Sequence, residues 1–138
     1  IMHMQGLPGN MQNNPSYRNV VKEVKEYLRS VSEELIQFGI NGQNIINDPG
    51  IGFGKLLEHN LSLLSAGREV VANESMPLMW GVSRKKMFKD LLERNETQDR
   101  LAGTLGIAAM APSKGVDIIR VHDVREHHDL YTAMSSLE

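Results

Sequence analysis

The sequence predicts an α/β fold assembled from parallel βαβ units. Short apolar runs alternate with stretches long enough and amphipathic enough to be helices. The apolar runs are mostly hydrophobic throughout, as in strands that helices cover within a parallel sheet. The residues with chemical interest fall where a strand ends and the next helix has yet to begin, and in parallel α/β folds that edge is where ligands bind.

The elements follow in order. Ile1-Met2-His3-Met4 reads as the interior of a strand and not as a natural start, so the chain is expected to be a piece of something longer. Glycine, proline and asparagine crowd positions 5–16, which predicts a long loop, with Asn14 or Ser16 as the cap of the next helix. Val20, Val24, Leu28, Val31, Leu35 and Phe38 recur at helical spacing among charged residues, and Gly39 closes that helix. A strand over 44–47 leads into a glycine-rich turn, and a helix is expected over 56–71 with Gly67 as its weak point. The run 78–82 reads as a strand, with Ser83 capping a short helix from Arg84 to Leu92. Thr97 is placed to cap a helix over 98–113, whose small residues suit close packing and whose last turn holds Pro112. Gly115 breaks the chain before a strand over 116–122, and a helix over 124–134 ends the series.

Composition narrows the function classes. With 138 residues, 41% of them hydrophobic, the chain can bury a core, and one domain over 1–138 is the default. A formal net charge of -2 supplies no basic field for nucleic acid. No apolar run approaches the roughly 18 residues that cross a bilayer, so no membrane partner is expected and a cytoplasmic setting is. Cysteine is absent, which excludes a disulfide scaffold and a thiolate zinc site.

The stretch Ile45-Ile46-Asn47-Asp48-Pro49-Gly50-Ile51-Gly52-Phe53-Gly54-Lys55 organises the rest. Pro49 biases Asp48 to an extended backbone and stops the strand, so a lone carboxylate is delivered into a glycine loop. That carboxylate could bind an amidine-like ring edge, hold a metal, act as a base, or cap a neighbouring helix. The loop favours the first, with a flat ring sliding against Gly52 and Phe53 as a wall. Ser83-Arg84-Lys85-Lys86 follows the next strand and suits an anionic or acceptor-rich ligand, unless it is simply a solvated cationic turn. Arg120 and His122 share one face of the last strand, an arrangement suited to clamping a phosphate or carboxylate. The remaining histidines, His3 among them, read as structural. Met2 and Met4 share a face, one as core filler and one available to pack on a ring.

Met2-His3-Met4-Gln5-Gly6 with Pro8, the Asp48–Lys55 run, Gly81-Val82-Ser83-Arg84-Lys85, Arg100-Leu101-Ala102-Gly103-Thr104 and Arg120-Val121-His122-Asp123-Val124 together resemble the C-terminal half of the dihydropteroate synthase family. The resemblance implies strands five to eight, with their helices, of a (β/α)8 barrel. It implies condensation of 6-hydroxymethyl-7,8-dihydropterin pyrophosphate with p-aminobenzoate to 7,8-dihydropteroate, with Mg2+ bound mainly by residues of the other half. It assigns Met2, Asp48, Gly52, Gly81 and Lys85 to the pterin, Phe53, Lys85 and Arg100 to the p-aminobenzoate side, and Arg120 and His122 to the pyrophosphate. Lys85, Arg120 and His122 are its catalytic candidates; sulfonamides would compete at the p-aminobenzoate side, and a homodimer is the expected assembly. Asn47, Trp80 and Pro112 depart from the family's habit, and Asn47 is expected to face the helices and to need a polar partner. Two alternatives stand beside this reading. One is a pterin-binding methyltransferase barrel, which has no need of the Ser-Arg-Lys and Arg-x-His anion sites. The other is a non-catalytic or incomplete half barrel that self-associates through its open sheet edges.

Overall fold

A computed structural model of the chain describes residues 1–137. Four extended segments lie side by side in chain order, all parallel. Residues 1–4 meet 45–48 through a Met2–Asp48 bridge, and Asn47 bridges to Leu78. Strand β1 (Met79–Trp80) then pairs with β2 (Ile118–Ile119) in the register Met79 to Ile118 and Trp80 to Ile119. The regular ladder is shorter than the sequence suggests, two residues in each strand, because the flanking residues turn off into the loops that build the site.

Helix α1 (Val20–Gln37) buries Val20, Val24, Leu28 and Ser32, a strict four-residue stripe. Its cap is Asn19, whose side-chain oxygen accepts from Lys22 N–H at 2.9 Å, and not Asn14 or Ser16. The reason is upstream: the Tyr17 hydroxyl donates to the Gly54 carbonyl at 2.8 Å, so the chain stays irregular against the glycine loop for three residues longer. Gly39, at φ +93°, ends the helix region as expected. Helix α2 (Leu57–Ala66) stops at Gly67, which takes φ +54° and opens a 3-10 turn over Gly67–Val70.

Helix α3 begins later than expected, at Met87, and runs to Leu92. Ser83 does not cap it, because its hydroxyl is committed to the neighbouring strand end. The expected helix over 98–113 divides into a 3-10 turn (Thr97–Arg100), helix α4 (Leu101–Met110) and a 3-10 turn headed by Pro112 (Pro112–Lys114). Thr97 provides no side-chain cap there. Helix α5 (Val124–Ser135) closes the order. Val24, Leu28, Leu63, Val70, Leu78, Trp80 and Phe88 form the centre of one continuous core between the sheet and the helices.

Asn47 is fully buried and its polar atoms are met. Its side-chain oxygen accepts from Ala72 N–H at 2.8 Å and its amide lies 3.8 Å from the Met76 sulfur. Trp80 is also buried, and its indole N–H has no partner among the described residues. No helix among the described residues is long and apolar enough to cross a membrane.

Candidate functional site at the sheet edge

The site forms where the four segments release their chains at the carboxyl end of the sheet. Asp48 is buried there, and one carboxylate oxygen accepts from Gly50 N–H at 2.8 Å. Gly50 has φ +69° and sits so close to the first segment that a Cβ would overlap the His3 carbonyl oxygen. The loop therefore lies flat on residues 3–5. Met2, directly paired with Asp48 in the sheet, is half-buried.

Lys85 reaches back over this loop. Its ammonium donates to the Ile51 carbonyl and stands 4.2 Å from the centre of the Phe53 ring, a cation–π contact. A Cβ on Gly52 would lie 3.0 Å from the Lys85 stem, so the small residue there is what lets the lysine lie down. Burial pushes Lys85 down to about 8; Asp48 opposes that shift and Arg120 adds to it. Asp48, Lys85 and Arg120 thus share one electrostatic neighbourhood.

The last two strand ends are tied together by side chains. The Ser83 hydroxyl accepts from His122 N–H at 3.1 Å and lies 2.9 Å from the His122 ring Nδ1. Arg84 is ion-paired with Asp123, whose carboxyl is held below its ordinary value by that hydrogen bond. Arg84 also takes the left-handed φ of +55°, uncommon for a residue with a side chain, and is held there by Thr104, whose hydroxyl accepts its N–H at 3.0 Å. The Arg120 guanidinium folds over Gly81, where a Cβ would come within 2.8 Å of it. Arg120 and His122 are exposed, and Arg120 has no carboxylate partner among the described residues.

Arg100 is brought near through the loop. Its guanidinium is buried on the carbonyls of Arg84 (3.1 Å), Arg94 (3.3 Å) and Asn95 (2.6 Å), so it fixes the turn that carries Lys85. Of the nine residues singled out in the sequence, Gly52, Phe53 and Lys85 meet at the glycine loop beside Asp48, Met2 pairs with Asp48 in the sheet, Arg120 folds over Gly81, His122 meets Ser83, and Arg100 sits behind the Lys85 turn. Sequence reasoning named Lys55 only as the cation closing the glycine run, read His3 as structural, and passed over Asn60 and Gln12; these four hold the glycine loop. The signal for Lys55 was a lone cation directly after three glycines in an otherwise apolar setting.

The described residues supply no ready-made cage for Mg2+: no group of three acidic or imidazole side chains converges among them, and a magnesium ion here would rely on substrate phosphates and waters for most of its ligands. Asp48 is engaged by Gly50, and the exposed groups at the other strand ends are cationic or imidazole. A cavity of about 750 Å3 beside Arg68, Glu69 and Asn73 lies at the opposite end of β1 and gathers none of this chemistry.

A buried carboxylate beside a glycine loop thus lies next to Lys85 and Arg120 at the edge of a parallel sheet. The chain belongs to the pterin binding enzyme family, which matches residues 1–122. It is 44% identical over 137 residues to the dihydropteroate synthase of Neisseria meningitidis serogroup C, covering 99% of this chain and 48% of that protein. Its fold is similar to that of Yersinia pestis dihydropteroate synthase, solved with a sulfonamide drug complex, at a TM-score of 0.91, 37% identity, and 99% and 49% of the two chains. It is also similar to Xanthomonas albilineans dihydropteroate synthase in complex with 7,8-dihydropteroate, at a TM-score of 0.88, 30% identity, and 99% and 48% coverage. The chain spans about half the length of the relatives it matches, and its α/β order fits part of their barrel.

Proposed function

We propose that these residues form the C-terminal half, strands five to eight with their helices, of a (β/α)8 dihydropteroate synthase barrel. The observation that carries this is the convergence of Asp48, Lys85, Arg120 and His122 on one strand edge. Ser83 bridges two of the strand ends, and the Phe53 ring lies under the Lys85 ammonium. The Neisseria and Xanthomonas relatives support the assignment.

In this reading Asp48 accepts from the donor edge of the pterin, and Met2, Gly52, Gly81 and Lys85 enclose the ring. Phe53 and Lys85 wall the p-aminobenzoate side, and Arg100 acts on it by holding the turn that carries Lys85. Arg120 and His122 bind the pyrophosphate as its C–O bond breaks, taking up the negative charge that develops on the leaving group. The aniline nitrogen forms the new C–N bond and its surplus proton passes to solvent, so the chain needs no strong base. Mg2+ would take its ligands chiefly from residues outside these 138. The anion side, Ser83 to Lys85 with Arg120 and His122, favours this over a methyl-transferring pterin barrel, which has no pyrophosphate to hold. A homodimer in the cytoplasm and competition by sulfonamides at the Phe53 side complete the proposal.

Calorimetric titration with the pterin pyrophosphate, with and without Mg2+, tests it. Saturable binding that strengthens with the metal is the expected result. A folded chain that binds neither the ester nor 6-hydroxymethylpterin would overturn a complete pterin site within these residues and leave half of a synthase whose chemistry depends on the other strands.

A further inference from the structure

The glycine loop has nearly every backbone polar group accounted for, and one side chain meets more of them than any other. Gly52 N–H donates to the Asn60 side-chain oxygen at 2.7 Å, and the Gly52 carbonyl accepts from Gln12 at 2.7 Å. The carbonyls of Gly50 and Phe53 both accept from the Lys55 ammonium, each at 3.0 Å. The same nitrogen lies 2.9 Å from Nδ1 of His3, on the neighbouring extended segment. Lys55 is 4% exposed and His3 7%, so this cluster is shut off from water beneath the face that Asp48 and Phe53 present.

We infer that Lys55 is a positioning residue: it fastens the underside of the glycine loop to His3 and so fixes the relative placement of Asp48 and Phe53. A lone lysine is expensive to bury, and a chain needing only a filled cavity would use leucine or methionine there. Three convergent partners from two segments explain the cation. The arrangement also survives a change in protonation. A charged Lys55 donates to both carbonyls and to His3 Nδ1; a neutral one donates to both carbonyls and accepts from His3 Nδ1–H. Burial holds both groups low, Lys55 to about 7 and His3 to about 4, so His3 is uncharged at neutral pH and free to take either tautomer.

The consequence for ligand binding rests on the proposed pterin reading, and the test separates the two. Hydrogen exchange is measured without ligand on the wild-type chain and on Lys55→Met, which keeps length and apolar stem. Protection is expected to fall in 1–5 and 49–56 and to hold elsewhere. Unchanged exchange, or a loss spread over the whole chain, overturns the fastening role. Affinities for 6-hydroxymethylpterin and for inorganic pyrophosphate are then compared. Loss of buried hydrogen bonds predicts about tenfold weaker pterin binding, with pyrophosphate unchanged within about twofold. Equal losses for both ligands, or none, overturn the positioning role. A wild-type chain that binds no pterin, yet whose variant loses protection locally, refutes the pterin reading while the fastening stands. Should Lys55→Met fail to fold, His3→Phe removes one of the three bonds and is expected to loosen the same two segments to a smaller degree.

Discussion

The glycine loop and the last strand end are built to opposite plans. Residues 50–54 are held by Lys55, Asn60, Gln12, Tyr17 and Lys85, so the surface proposed to take the ring is fixed by the fold itself. Arg120 and His122 stand exposed, Arg120 held at its backbone N–H by the Trp80 carbonyl and His122 through Ser83. A ring is recognised by shape and by a fixed donor–acceptor edge, which rewards rigid preorganisation. A pyrophosphate is recognised mainly by charge, and solvated cations serve it well. The one region spends packing on geometry; the other keeps its charge available.

The largest expected effect breaks the first region alone. Gly50→Ala asks for a left-handed residue with a Cβ where the His3 carbonyl oxygen already stands, and backbone cannot step aside cheaply. A destabilisation of roughly 4 kcal/mol is expected, read by urea denaturation, since strain and overlap act together. A loss below about 1 kcal/mol would mean that the loop is not pressed on residues 3–5. Asp48→Ala and Lys85→Ala come next. Each should weaken pterin binding by about 2–3 kcal/mol, the cost of leaving a desolvated polar partner unmet. Unchanged affinity in both would remove the ring assignment.

The same contrast explains what the sequence disclosed. Apolar periodicity showed α1, and the glycine-and-charge punctuation showed where each segment ends, because these are local consequences of spacing. Asn47 was legible as a buried polar residue in need of a partner, and Ala72 N–H is that partner. Ser83 was misread. A serine directly before a cationic helical run has every local feature of a cap, yet its hydroxyl is claimed by His122, thirty-nine residues away. Local pattern cannot see a partner on another strand. Asn19 replaced Ser16 for the same kind of reason, the Tyr17 hydrogen bond to Gly54. Lys55 stayed hidden because its value lies in carbonyls and a histidine that only the folded loop brings together.

Arg120→Ala sharpens the comparison from the other side. The guanidinium is exposed, so its removal should leave stability nearly unchanged. Binding of the pterin pyrophosphate should fall by about 2 kcal/mol while bare 6-hydroxymethylpterin is little affected, as expected for a charge-assisted contact to phosphate. Equal losses for the two ligands, measured by calorimetry, would contradict a division into ring side and anion side.

The smallest effect is electrostatic and belongs to the fastened region. Lys55 titrates near 7 in the folded chain against an ordinary value of 10.5, so between those values the unfolded chain holds a proton that the folded one gives up. Stability from this group is therefore lowest below pH 7 and rises as pH climbs through that window. His3, held at about 4 against 6.5, repeats the pattern lower down: its contribution is complete above 6.5 and is lost as pH falls toward 4. From pH 7 to 9 the wild-type chain should gain roughly 1 kcal/mol from Lys55, well under the full linkage value because a buried lysine relaxes its surroundings. Lys55→Met should show a shallower rise, the remainder coming from Lys85, which burial also holds low, at about 8. Parallel stability–pH curves for wild type and variant would show that the cluster beneath the loop keeps its proton as an exposed lysine does, and would remove the electrostatic half of the contrast.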